Sequence, residues 1–161
     1  MIAIIDSGGA NIASVQFALE RLSAESVLTK DVKIIQSADK VLLPGVGAAP
    51  IAMQNLAEYE LIDCIRGLTQ PVMGICLGMQ LLFAVSPEGN TPLLGIFDAD
   101  CETFTPTQGR SVPHMGWNRL AKQQDHPLLA GVDEGAHVYF VHSYFAPVTA
   151  QTIAATNYGD D

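Results

Sequence analysis

The first half of the chain alternates two kinds of apolar spacing. Short apolar runs at Ile2–Ile5, 26–30, 40–43 and 71–75 have the length and composition of strands. Between them, apolar residues recur every three or four positions, as on one helix face. Ile12, Val15, Leu19 and Leu22 form one such stripe, and Leu61, Cys64, Ile65 and Leu68 lie on a long helical stretch further on. Residues 77–85 predict a further helix, and 86–92 a loop that breaks the pattern. The second half changes character: 93–104, 115–121, 137–146 and 152–158 predict strands joined by turns. This succession predicts an α/β fold, a central, mostly parallel sheet flanked by helices with an antiparallel strand-rich extension. Such sheets hold ligands at the carboxyl ends of their strands. Residues 7–11, the loop 44–47 and the segment around Cys76 fall at such ends.

The length of 161 residues predicts a single domain spanning 1–161. With 48% hydrophobic and 16% charged residues the chain can bury a core, which excludes disorder. A net charge of −9 argues against nucleic acid as a partner, because phosphate binding needs clustered Lys and Arg. No apolar run approaches the roughly 18 residues of a membrane helix. Met1 leads straight into Ile2–Ile5, without the basic region or cleavage site of a signal peptide, so a cytoplasmic protein is expected. Three widely spaced cysteines suit neither a disulfide framework nor a zinc site. No metal and no cofactor is expected.

Pro71-Val72-Met73-Gly74-Ile75-Cys76-Leu77-Gly78-Met79-Gln80 carries the most specific signal. An apolar run ends in a cysteine between two glycines and passes at once into a helical pattern, the cysteine counterpart of a nucleophile elbow. A sharp strand-to-helix turn crowds the backbone, so larger side chains would clash at Gly74 and Gly78. The turn exposes the sulfur at the amino end of the next helix, where N–H groups and the helix dipole favour a thiolate. Cys76 is therefore the expected nucleophile. An acyl group under attack develops an oxyanion, and the N–H of Leu77 is one natural donor. Pro44-Gly45-Val46-Gly47 offers a second, since its glycines allow a peptide plane to approach or rotate. Cys64 belongs to a helix's core stripe, and Cys101, beside Asp100 and Glu102, has no role.

A nucleophile needs a base. His126 and His137 sit in a loop and at a strand start. His114 and His142 lie in the denser motifs Pro113-His114-Met115-Gly116-Trp117-Asn118 and Tyr139-Phe140-Val141-His142-Ser143-Tyr144. Neither is followed by a carboxylate placed to orient it, and the alternation around His142 does not fix which face is buried.

The elbow, the Pro-Gly-Val-Gly loop and Pro-His-Met-Gly-Trp-Asn resemble segments of the class I (triad-type) glutamine amidotransferases. Among these, the chain is similar along its whole length to the glutaminase subunits of imidazole glycerol phosphate synthases, and Asp6-Ser7-Gly8-Gly9-Ala10-Asn11 fits them too. The resemblance implies that Cys76 attacks the carboxamide of glutamine and forms a glutamyl thioester. Gly47 and Leu77 would supply oxyanion N–H groups, after a peptide flip near Val46. Gln80 and the backbone of Ser143 and Tyr144 would hold the amino-acid end of the substrate, and Gly45 would border that pocket. Apart from the resemblance, the residues themselves make His142 a packed or substrate-lining histidine rather than the base. Ammonia would pass to a (β/α)8 cyclase subunit, the heterodimer partner, which makes imidazole glycerol phosphate and AICAR in histidine biosynthesis. Asn11 and Trp117 would lie near the partner.

In the resembling family the base and its carboxylate come from a Gly-x-Gln-Phe-His-Pro-Glu segment, one strand beyond the run matching 152–158. This sequence contains no such segment, so the expectation is a piece of a longer parent, inactive or impaired as given. Three alternatives stay open: a non-catalytic scaffold that binds the partner, a glutaminase subunit of another amidotransferase pathway, and a stand-alone cysteine hydrolase. The last commonly has histidine after the nucleophile, where this chain has Leu77.

Overall fold

A computed structural model describes residues 1–8 and 11–159, which form two compact units, Met1–Cys101 and Glu102–Asp161. The first unit holds a four-stranded parallel sheet. Its strands are β1 (Ile2–Ile5), β2 (Ser26–Thr29), β3 (Lys40–Gly45) and β4 (Val72–Cys76), in the order β2-β1-β3-β4. The order reverses between β1 and β3, so the loops after these two strands flank the switch point where open α/β sheets bind ligands. Helices α1 (Ile12–Arg21), α2 (Val32–Ser37), α3 (Ala49–Glu58), α4 (Leu61–Arg66) and α5 (Leu77–Gln80) connect or follow the strands. Ala3, Ile4 and Ile5 of β1 and Val41 and Leu43 of β3 are fully enclosed, together with Ile35, Leu56, Leu61 and Ile65 from the helices.

Several sequence expectations need correction. The long helix after Gly47 is two helices, broken at Tyr59–Glu60, where Glu60 adopts φ 56°. Leu22 leaves the stripe because α1 ends at Arg21, and it is exposed. Helix α2 lies where no helix was expected; it is short, but the Asp31 carboxylate accepts the N–H groups of Lys33 and Ile34, a regular N-cap. The helix expected over 77–85 stops at Gln80, and the loop expected over 86–92 contains a small hairpin, β5 (Val85–Ser86) with β6 (Thr91–Pro92). The strand expected over 93–104 is irregular up to β7 (Glu102–Thr103). Its apolar residues are satisfied without a ladder: Leu93, Leu94 and Cys101 are buried, and their N–H groups donate to the carbonyls of Ala84, Leu81 and Val85.

The second unit is built of antiparallel pairs. β8 (His114–Arg119) pairs with β10 (His137–His142), β9 (Ala121–Lys122) with β12 (Ala154–Ala155), and β7 with β11 (Tyr144–Phe145). Cross-strand partners run from His114↔His142 to Arg119↔His137. The period of two puts His114, Phe140 and His142 on the inner face, while Met115, Trp117, Tyr139 and Val141 are exposed. The expected architecture, a parallel α/β sheet followed by an antiparallel strand-rich half, is the observed one. Gly9 and Ala10 of the Asp6–Asn11 motif, and Asp160 and Asp161, lie outside the described residues.

Candidate active site

β4 runs into α5 with no residue between them, and Cys76 turns the corner at φ 55°, ψ −121°. A non-glycine residue held there costs about 1–3 kcal/mol, a strain that clusters at functional positions. Three glycines give the bend its room. A Cβ on Gly74 would lie 2.5 Å from Met79 Cα and 2.6 Å from the Gly78 carbonyl, and one on Gly78 would overlap the Leu43 carbonyl. On Gly45 it would lie 2.6 Å from the Gly78 nitrogen. None of the three has a positive φ, so close approach of backbones, not conformational freedom, demands glycine here. Cys76 is exposed at the apex. Because α5 is a single turn, the dipole expected from a long helix is largely lost, and the bend itself presents the sulfur.

β3 delivers the second element. Gly45 pairs with Cys76, so the loop after β3 starts beside the residue that follows the nucleophile. The root of this loop is tight at Gly45, while at Gly47 (φ 93°) a Cβ would meet nothing within 4 Å. Val46 between them is 49% exposed. A rigid root with an open, glycine-turned tip suits an N–H that must face a developing oxyanion. Leu77 and Gln80 are buried in the elbow turn.

The other two cysteines are unsuited to nucleophilic work. Burial raises the Cys64 thiol above its ordinary value. Burial, with the Asp100 carboxylate, pushes Cys101 up to about 11, and its S–H donates to the Gln80 carbonyl at 3.7 Å, beneath the elbow turn.

All four histidines lie in the second unit. His142 Nδ1 is 2.9 Å from the Tyr144 carbonyl, which only accepts, so that nitrogen carries a proton. His142 Nε2 is then the acceptor for His114 Nδ1–H at 3.0 Å, and Asn118 Nδ2 donates to His114 Nε2 at 3.4 Å. Both rings are thus fixed in the Nδ1–H form. His114 is 4% exposed, stacked against Phe140 at 4.8 Å and Tyr158 at 3.8 Å, and Phe104 meets His142 edge-on. Every ring nitrogen of the pair is engaged. His126 caps Leu128 N–H through Nδ1, and His137 is exposed at the start of β10.

Burial, then the His142 charge, lowers the His114 pKa below its ordinary value. Unfolded, His114 binds a proton near pH 6.5; folded, it resists until lower pH. Its contribution to stability is therefore complete above about pH 6.5 and is lost as pH falls through the folded value. Long-range 1H–15N spectra should show both rings as Nδ1–H tautomers, with His114 staying neutral to lower pH than an ordinary histidine. An Nε2–H form of His142 would contradict the pairing.

The Ser143 carbonyl accepts from Phe104 N–H at 3.2 Å, Tyr144 is half-buried, Asn11 is exposed at the start of α1, and Trp117 is 69% exposed. Two features escaped the sequence. The His114–His142 pairing depends on the β8–β10 register across 28 residues, which no local pattern reveals. Ser7 lay inside a recognised motif, but only the pairing of β1 with β3 shows that its hydroxyl donates to the Pro44 carbonyl.

Comparison with known proteins bears on this geometry. Residues 3–160 match the family described as glutamine amidotransferase class-I. The imidazole glycerol phosphate synthase subunit HisH of Xanthomonas axonopodis pv. citri (strain 306) is 51% identical over 158 residues, covering 98% of this chain and 79% of the relative. The protein of the same name from Mannheimia succiniciproducens is 48% identical over 156 residues, 97% of this chain and 80% of its own. A solved structure described as a glutamine amidotransferase superposes with a TM-score of 0.72 over 95% of this chain and 78% of that one, at 19% identity, which speaks for the fold alone. A Thermoplasma acidophilum structure described as a putative GMP synthase protein gives 0.61 over 89% and 64%, at 17% identity.

Proposed function

Because this chain belongs to the class I glutamine amidotransferase family, we propose that it is the glutaminase subunit of an imidazole glycerol phosphate synthase, with its place in histidine biosynthesis. The observation that carries the reading is the strained, exposed Cys76 at a glycine-walled bend between β4 and α5. Its sulfur attacks the carboxamide carbon of glutamine; the C–N bond breaks, ammonia leaves with the proton it needs, and a glutamyl thioester remains. Water then splits the thioester, giving glutamate and the free thiol. The N–H groups of Leu77 and Gly47 steady the oxyanion formed at each stage. Gly45, Val46 and Gln80 contribute to the glutamine site from the first unit, the family resemblance assigns Ser143 and Tyr144 to the same substrate, and His142 is assigned to it as a substrate-lining residue. Ammonia passes to a (β/α)8 cyclase subunit in a heterodimer, and the family resemblance assigns Asn11 and Trp117 to the neighbourhood of that partner. The whole chain serves as one amidotransferase domain in the cytoplasm, and no described helix is long and apolar enough to cross a membrane.

A second reading has its own support. Among the described residues, His114 and His142 spend their ring nitrogens on each other and on fixed neighbours, so neither of these two rings is offered as a base for deacylation. The chain would then bind partner and glutamine, acylate once and stop. Assaying glutamate release while titrating in the cyclase subunit decides between the two. The glutaminase reading expects turnover that saturates at equimolar partner; one acyl group per chain with no further glutamate would support the scaffold.

A further inference from the structure

The carbonyl of Pro44 occupies an unusual place. Val41 donates its N–H to the Pro71 carbonyl beside β4, so odd-numbered residues of β3 turn toward β4 and even-numbered ones toward β1. The β1–β3 ladder ends at Ile4↔Leu42, which leaves Pro44 as the next acceptor on the β1 side, beyond the last rung. Its partner there is a side chain. Ser7, 4% exposed, donates its hydroxyl to the Pro44 carbonyl at 3.2 Å, across the topological switch point.

Ser7 is itself held from several directions. Asn55 of α3 donates its side-chain amide to the carbonyls of Ser7 at 2.8 Å and Gly8 at 3.3 Å. The Asp6 carboxylate accepts the Gly8 N–H at 3.1 Å, and the Asp6 N–H donates to Thr29. Lys30 Nζ lies 3.7 Å from Asp6 and over the Tyr59 ring. The hydroxyl is therefore presented from a braced turn. On its other side, the peptide after Pro44 presses against the elbow, where Gly45 admits no Cβ beside Gly78.

We propose that Ser7 is a positioning residue for glutamine hydrolysis: by clamping the Pro44 carbonyl it fixes the root of the Pro44-Gly45-Val46-Gly47 loop, and so the direction in which the Gly47 N–H points. This rests on the glutaminase reading. The tip of the loop is open at Gly47, so its aim is set where the loop leaves the sheet. Without the hydroxyl, the buried Pro44 carbonyl lacks this donor, and the Pro44–Gly45 peptide gains a reason to rotate toward another. Donors aimed at developing charge act mainly on the chemical step, so the loss appears in kcat more than in KM.

The test compares wild type, Ser7→Ala and Ser7→Thr, each complexed with the cyclase subunit, measuring glutamine hydrolysis and synthase activity fed by ammonia. Ser7→Ala should lower kcat for glutamine about tenfold, change KM less than about twofold and leave ammonia-fed activity intact; Ser7→Thr, which keeps the donor, should restore most of kcat. The proposal is overturned by an unchanged kcat in Ser7→Ala, by a parallel loss of ammonia-fed activity, or by failure of threonine to rescue. Absence of glutamate release from the wild-type complex would instead sink the glutaminase reading and take this proposal with it.

Discussion

Replacing Cys76 by alanine should lower glutamine-dependent synthase activity by about 10⁴-fold or more, while activity fed by free ammonia stays at the wild-type level. The asymmetry follows from the division of labour. The sulfur creates ammonia and has no part in using it, so ammonia supplied from solution bypasses the missing atom. Stability should hardly change, within about 0.5 kcal/mol, because Cys76 is exposed and alanine keeps the strained φ of 55°. Loss of both activities together would point to damage to the fold or the partner surface. Glutamine hydrolysis surviving in the alanine variant would remove Cys76 from the chemistry.

Gly78→Ala should have the largest effect on the fold. The added methyl would overlap the Leu43 carbonyl and reach within 2.7 Å of the Leu43 carbonyl carbon, both backbone atoms of the central strand β3. Ordinary overpacking costs 1–3 kcal/mol because side chains yield; here backbone faces backbone, and about 3 kcal/mol or more is expected. Gly95 is the control. Its φ of 62° strains an alanine, but a Cβ there meets nothing within 4 Å, so Gly95→Ala should cost only about 1–2 kcal/mol. Urea unfolding of the two variants separates a clash from a conformational penalty, and equal losses would refute the packing account of the elbow.

The elbow was readable in the sequence because its requirements are local: a strand, a bend and two glycines within a few residues fix one another. The parallel sheet was readable for a related reason, since buried strands such as Ile2–Ile5 announce themselves as unbroken apolar runs. Helix ends were less visible. Leu81, Leu82 and Phe83 continue an apolar pattern that resembles helix, yet they are buried beyond a single turn whose continuation the hairpin β5–β6 replaces. The run 93–104 misled in the same way, because burial alone, without a ladder, satisfies alternating apolar residues. Long-range polar pairing was illegible. Ser7 and Pro44 stand 37 residues apart, and His114 and His142 stand 28 apart; each pair meets only through strand register.

The family resemblance rested on motifs and the geometry on glycine contacts, and both converge on one residue. The most direct measurement is the mass of the peptide carrying residue 76, after rapid quenching of the partner-bound protein with glutamine. The account predicts a glutamyl adduct on Cys76, absent from Cys64 and Cys101 and lost in Cys76→Ala. An adduct on another residue, or glutamate formed with Cys76 unmodified at every time point, would contradict it.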